Sequence, residues 1–543
     1  MALHKLARCL TATLSLAAVP IANAQFYKIS SSQEIKDSTT TLAYDLMTLY
    51  PGNQTGKEPG ILPGPPSENK GDYYWWEGGA LMGTMIDYWH FTGHTEYNDE
   101  VTQGILYQVG ENADFQPLSK RASLGNDDQG FWGMTAMLAA ETNFPNPPKD
   151  KPQWLALAQA VWTTQNSPER HDDKCGGGMR WQIPPLNAGY DYKNTIANAI
   201  YMNLGARLAR YTGNTTYSDA AEKTYDWLWS VNYIDHDTYK VYDGGHVEHN
   251  CTDINKAQFS YSIAVLTQAT AFLWNIFSFI KTPLLQDAAK PIIPHCTTRW
   301  RPPNILASLG TRLGTITPRN RARRLELTHV ASHHNQTSNE KWKTATTKLT
   351  ESLLRDFFAD GAAFELPCET TPGGCTADML SFKGYVHRWM SVVTQVAPFT
   401  AATVIPALKK SAEACIKQCT GGPTGRACGF YWTRGTYIDP SVDKTTGAGE
   451  RMDALAAVSS LLVSEVAAPL TGKDGGTSQG NPNAGIPKSN DRTLSEITSG
   501  DKAGASFLTI LTMLYDSGIS TCTRFAGRCM PIDLRVSGGH SPP

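Results

Sequence analysis

The sequence predicts an all-α fold, built as a closed ring of helical hairpins. Three observations point there. First, apolar residues recur at three- and four-residue spacing in segments such as Ala80–Phe91, Gly130–Ala140, Asn194–Tyr211 and Ser381–Val396. Second, alternating β patterns are scarce between Thr39 and Val466, and short Gly/Asn/Pro loops separate the helical segments. Third, a hairpin pattern recurs. Leu81–Asn98 and Tyr201–Asp219 each read as an inner helix, a Thr-Gly turn (Thr92-Gly93, Thr212-Gly213) and a Tyr opening an outer helix. The repeats are too irregular for a common solenoid consensus, which favours a ring that closes over one that stays open.

The N-terminus reads as an address. Lys5 and Arg8 precede the mainly apolar stretch Cys9–Ile21, and Ala22-Asn23-Ala24 is a small-x-small cleavage site, so residues 1–24 read as a secretory signal peptide. Asn-x-Ser/Thr sequons at Asn53, Asn214, Asn250 and Asn335 agree with export. Ten of the 11 cysteines lie beyond the leader, and in an oxidising compartment disulfides are their default. Cys368 with Cys375, and Cys419 with Cys428, are near enough to close small loops, and Cys175 with Cys251 would tie distant segments. Spacing does not fix connectivity, and zinc is the alternative for Cys415, Cys419 and Cys428. A formal charge of −2 gives no global signal for a nucleic-acid partner.

The most informative stretch is Ser123-Leu124-Gly125-Asn126-Asp127-Asp128-Gln129-Gly130, set directly before the apolar pattern that begins at Phe131-Trp132. Asp127 and Asp128 admit two readings. They are acids at a helix start, stabilised by its dipole. Equally, they are two carboxylates flanking a glycosidic bond, one attacking or stabilising the anomeric carbon and one protonating the leaving oxygen. Local pattern alone leaves both open. Trp75, Trp76, Tyr385 and Trp389 are candidate sugar platforms or core rings. Asn194 could hydrogen-bond a sugar hydroxyl, and Gln129 beside the pair is a further substrate-binding candidate. Asp72 and Glu77 read as solvated or capping acids. His246-Val247-Glu248-His249 lacks the His-Glu-x-x-His spacing of a zinc site. No metal or cofactor is expected.

These blocks carry a family resemblance. Asn126-Asp127-Asp128-Gln129-Gly130-Phe131-Trp132 resembles the Asp-Asp signature of glycoside hydrolase family 76, the endo-α-1,6-mannanases. Tyr74-Trp75-Trp76-Glu77-Gly78-Gly79-Ala80, Gly176-Gly177-Gly178-Met179-Arg180-Trp181, Tyr192-Lys193-Asn194-Thr195-Ile196-Ala197-Asn198, Ser381-Phe382-Lys383-Gly384-Tyr385 and Gly447-Ala448-Gly449-Glu450-Arg451-Met452 are similar to further blocks of that family, in order. The resemblance is greatest to its fungal, GPI-anchored cell-wall branch. It implies an (α/α)6 barrel and a retaining mechanism, with Asp127 as nucleophile and Asp128 as general acid/base. It also implies mannan or a GPI glycan as substrate, cell-wall glucan as a possible acceptor, and a place in the wall or on the outer face of the plasma membrane.

Two regions depart from the family pattern. Residues 276–334 are rich in Pro and Arg (Arg299, Arg301, Arg312, Arg319, Arg321, Arg323, Arg324) and show no helical periodicity. A lineage-specific insertion, a basic patch and a translated intron are the readings, the last preferred. From Ala467 the composition turns to Gly, Ser, Asn and Pro, and 467–543 reads as a flexible tail. Asn483-Ala484-Gly485 offers small residues for a GPI attachment site, but the apolar run Ala505–Tyr515 is followed by a polar end, so anchored and soluble forms both stay open. The leading expectation is a catalytic domain over 25–466 that cleaves or transfers α-1,6-mannosyl units. The alternatives are a barrel glycosidase for another glycan and a catalytically silent glycan-binding wall protein.

Overall fold

A computed structural model describes residues 26–279, 318–370, 374–439 and 447–486. The expected signal peptide at 1–24 and the apolar run at 505–515 lie outside them.

Among the described residues there are twelve α-helices: α1 (Ser32–Met47), α2 (Trp75–Thr92), α3 (Asn98–Tyr107), α4 (Asn126–Glu141), α5 (Trp154–Gln165), α6 (Thr195–Thr212), α7 (Thr215–Ser230), α8 (Ser260–Phe279), α9 (Pro318–Phe357), α10 (Phe382–Val396), α11 (Ala401–Lys417) and α12 (Ala448–Ser459). The even-numbered helices pack side by side in sequence, and α12 closes on α2. The odd-numbered helices pack outside them. The result is the (α/α)6 barrel, six hairpins in a ring.

Burial explains which helix goes where. In α6 every residue from Thr195 to Ala209 is buried, as a helix walled on all sides requires. In α7 only a stripe is buried, through Tyr217, Ala221, Thr224, Tyr225 and Leu228, which is the pattern of an outer helix. The Thr-Gly turns end α2 and α6 as expected. Gly93 and Gly213 cap those helices at φ 79° and 75°, a left-handed conformation that costs glycine little, and each backbone N–H bonds back to the helix.

Small two-stranded sheets decorate the ring. β1 (Tyr192–Asn194) pairs antiparallel with β2 (Gly244–His246), Tyr192 opposite His246, just before α6. Deep between inner helices, Arg207 pairs with Glu141 at 2.6 Å and Arg388 with Asp87 at 2.5 Å, so these buried charges are compensated.

Among the described residues three disulfides are present, Cys175–Cys251, Cys368–Cys375 and Cys419–Cys428, and Cys415 is free and buried. The zinc reading of Cys415, Cys419 and Cys428 is therefore corrected, because two of its three sulfurs bond each other.

Two boundaries are also corrected. The stretch 276–334 is helical at both ends: α8 continues through Ile276 to Phe279, burying Phe277, and α9 takes up the chain from Pro318. Pro suits a first helical turn, and the Arg, Ala, Leu and Glu that follow are strong helix formers even without an apolar stripe. The tail reading fails for 467–486. The Leu470 N–H donates to Glu141 O at 2.8 Å and the Gly472 N–H to Tyr211 O at 3.0 Å. Ser478 Oγ accepts from the Leu155 N–H at 2.9 Å, and Gln159 Oε1 from the Asn481 N–H at 2.7 Å. Polar Gly/Ser/Asn composition supplies the partners that open helix ends need, so the segment straps onto the barrel. The candidate attachment residues 483–485 lie at its end, with Gly485 buried against Ala160.

Candidate active site

The site lies where inner helices begin. Trp76 stands in the first turn of α2, Asp127 and Asp128 in that of α4, Asn194 caps α6, Tyr261 opens α8 and Phe382 opens α10. A cavity of about 400 Å³ opens there, lined by Trp76, Asp127, Asp128, Phe131, Trp181, Tyr261, Asp378 and Phe382 among others. The Tyr261 and Phe382 rings stack at 3.8 Å with 12° between planes, and Trp76 packs on Phe131 at 4.5 Å. Aromatic walls with a few converging acids fit a ligand with apolar faces and hydroxyl edges.

Asp128 caps its helix and also faces the cavity. Its Oδ2 accepts the Gly125 N–H at 2.6 Å, a capping-box bond at the start of α4, and its side chain also lines the cavity. Asp127 accepts the Asp128 N–H at 3.0 Å, and the polar side chains of Trp181 and Asn194 stand close enough to favour its anion.

Those side chains are held by the chain around them. The segment bearing Trp181 pairs with the start of α4, the Asn126 N–H donating to Trp181 O at 2.8 Å and the Ile183 N–H to Leu124 O at 3.0 Å. The buried Lys193 ammonium donates to Gly177 O at 2.7 Å, Gly178 O at 3.0 Å and Asp172 at 2.7 Å, which pins the glycine-rich loop. Asn194 uses its Oδ1 to cap α6 on the Ala197 N–H, which holds its side chain close to Asp127.

Electrostatics separate the two carboxyls. Burial pushes both up, Asp127 to about 7. The Asp128 N–H and the nearby Trp181 and Asn194 side chains favour the Asp127 anion. Asp128 is raised further by the charges of Asp127 and Asp378. Asp127 therefore gives up its proton first and Asp128 keeps one, the division that nucleophile and acid require.

The other expected residues divide. Trp76 is in the cavity wall and Asn194 is close to Asp127. Trp75 turns away: its indole N–H donates to Gln108 at 2.8 Å, and its ring packs 5.3 Å from Trp132. It borders a separate depression that meets the cavity at Tyr74, Ser123 and Asp128.

The sugar-contacting readings of Gln129 and Tyr385 are corrected. Buried Gln129 donates to Asp114 O and Thr164 Oγ1 at 2.7 and 2.9 Å, tying α4 to its neighbours. Tyr385 lies beneath Trp76 and Phe131, its hydroxyl on Ser381 Oγ at 2.9 Å. Trp389 is a buried ring beside Phe131 and Tyr385. Glu77 is a capping acid, accepting the Tyr74 N–H at 2.6 Å. His246 pairs with Asp253 at 2.6 Å.

Sequence reasoning assigned no role to Trp181, Tyr261 or Asp378. Trp181 stood in a recognised block; Asp378 carried no signal beyond preceding a helix.

With this geometry in place, comparison with known proteins is direct. The family model described as Glycosyl hydrolase family 76 matches residues 34–302 and 327–473. The chain is 37% identical over 497 residues to mannan endo-1,6-alpha-mannosidase DCW1 of Saccharomyces cerevisiae, covering 91% of this chain and 94% of that protein. It is 34% identical over 494 residues to mannan endo-1,6-alpha-mannosidase DFG5 of the same yeast, covering 90% and 92%. The crystal structure of Dfg5 from Chaetomium thermophilum in complex with glucosamine superposes with a TM-score of 0.73 at 57% identity, covering 85% of this chain and 98% of that one. The chain belongs to glycosyl hydrolase family 76.

Proposed function

We propose that the chain is a retaining mannan endo-1,6-α-mannosidase of the fungal cell wall. Asp127 attacks the anomeric carbon of an α-1,6-mannosyl unit while Asp128 gives its proton to the departing glycosidic oxygen. A covalent mannosyl ester on Asp127 results. Asp128, now ionised, takes a proton from water or from a sugar hydroxyl, whose oxygen attacks the anomeric carbon and frees Asp127. Water gives hydrolysis and a glycan hydroxyl gives transfer. The substrate is mannan or the mannose-bearing GPI glycan of a wall protein, and cell-wall glucan is the acceptor in the transfer mode. The enzyme acts outside the cell, in the wall or on the plasma-membrane outer face when anchored.

The observation that carries this reading is the unequal treatment of two adjacent buried carboxyls in one aromatic cavity: polar groups that favour the anion gather around Asp127, and like charge surrounds Asp128. The glucosamine bound to the Chaetomium relative is in keeping with a sugar-binding cavity. The test is turnover of α-1,6-mannan, and of a GPI-glycan donor with and without a glucan acceptor, by separate Asp127→Asn and Asp128→Asn variants. Loss of the acid/base group is expected to lower turnover ~100- to 10,000-fold, and loss of the nucleophile at least as much. Full turnover by both variants would sink the assignment.

A further inference from the structure

We propose that Asp378 is a substrate-binding carboxylate that grips hydroxyls of the sugar ring in the cavity, while Asp127 and Asp128 carry the chemistry. The proposal rests on the mannosidase reading and adds the group that recognises the ring.

Asp378 opens the short turn Asp378–Ser381 that leads into α10, and it lines the cavity with both catalytic candidates. The Trp76 side chain stands close enough to favour its ionised form. Its Oδ1 is buried with no hydrogen-bond partner among the described residues. A buried acceptor left unmatched destabilises a fold, so the position is explained by a partner that arrives from outside. No Lys, Arg or His stands among the described residues that line this cavity, so a cation in its wall does not provide that partner.

Charge and neighbours narrow the occupant. Burial raises the Asp378 carboxyl to about 6, which leaves it ionised at neutral pH, an acceptor and not a donor. The walls beside it are the stacked Tyr261 and Phe382 rings and Met379. Such a wall takes the C–H face of a pyranose while the carboxylate takes its edge. A carboxylate accepts two O–H bonds from neighbouring hydroxyls, and charge-assisted bonds of this kind are the strong ones. Each of the other acids accepts at least one backbone N–H. Asp127 accepts the Asp128 N–H, Asp128 accepts the Gly125 N–H, and Glu77 accepts the Tyr74 N–H outside the cavity wall.

A structural role and a binding role predict opposite effects on stability. Removing an unmatched buried charge stabilises; removing a structural anchor destabilises. The experiment uses the secreted full chain with Asp378→Asn and Asp378→Ala. It measures Tm, then KM and kcat on α-1,6-mannotriose and on its 2-deoxy and 3-deoxy analogues, with calorimetric titration of the trisaccharide alongside.

The expected result is an unchanged or higher Tm and a KM raised ~10-fold or more. The penalty that the wild type imposes on at least one deoxy analogue should largely disappear. Unchanged KM, titration and deoxy penalty in both variants, with the wild type active, overturn this proposal and leave the mannosidase reading intact. A lowered Tm with unchanged deoxy discrimination also overturns it, in favour of a structural acid. A wild type that neither binds nor turns over the trisaccharide overturns both.

Discussion

Asn194 stands between two inner helices: its Oδ1 caps α6 on the Ala197 N–H, and its side chain lies close enough to Asp127, in the first turn of α4, to favour the carboxylate anion. The cap fixes the side chain's orientation, so it favours the carboxylate without reorganising when the nucleophile ionises.

Asn194→Ala should therefore remove a group that favours the anion and a helix cap together. We expect kcat/KM to fall ~10-fold or more, with the acid limb of the pH–rate profile moved upward because Asp127 holds its proton more tightly. Asn194→Ser separates the effects: it restores a capping oxygen, so stability should recover while the limb stays displaced. An unmoved limb in both variants contradicts the contact.

Stability should fall as pH rises. Burial holds Asp378 at about 6, Asp127 at about 7 and Glu365 at about 8 in the folded chain, whereas unfolded Asp and Glu titrate near 4. A folded-state value above the unfolded one favours folding where the group is protonated in both states. That contribution is present below about pH 4 and is lost as pH climbs through the folded-state values, between about 6 and 8. Thermal melts should show Tm declining from pH 5 to pH 8, and the decline should be shallower in Asp378→Asn. A Tm that rises over that range contradicts the burial of these acids.

The Cys175–Cys251 bridge closes a long loop, its ends separated by 76 in sequence, and clamps the start of the glycine-rich segment that carries Trp181. Cys251→Ser should cost about 4 kcal/mol by loop entropy and lower activity through Trp181. Denaturant unfolding and assay of the folded fraction check both parts. An undisturbed rate in folded protein would mean that the β1 and α4 pairings hold Trp181 unaided.

The ring of hairpins was legible because burial on all sides and burial on one stripe leave different apolar patterns, as α6 and α7 do. Thr-Gly turns marked where the chain reverses. The catalytic pair was legible only in combination. A capping acid and a cavity acid leave the same local trace, and Asp128 both caps α4 and lines the cavity.

Trp75 and Trp76 show a limit of local reading. Neighbours on a helix point about 100° apart, so one ring faces the mouth while the other meets Gln108 just past the end of α3, and adjacency does not say which. Gln129 and Tyr385 fell on the far side of the same rule. Asp378 was out of reach because ring closure, not its own neighbours, turns the start of α10 toward the start of α4 across the ring. The polar strap at 467–486 has the composition of a linker because the partners it satisfies are backbone groups and amides, not an apolar face.

The central claim is double displacement at an α-1,6-mannosyl unit by Asp127 and Asp128. Its most direct measurement is proton NMR of the anomer first released from α-1,6-mannotetraose by the purified chain, recorded before mutarotation. Two inversions predict the α-anomer first. The β-anomer first, or no turnover, would contradict the account.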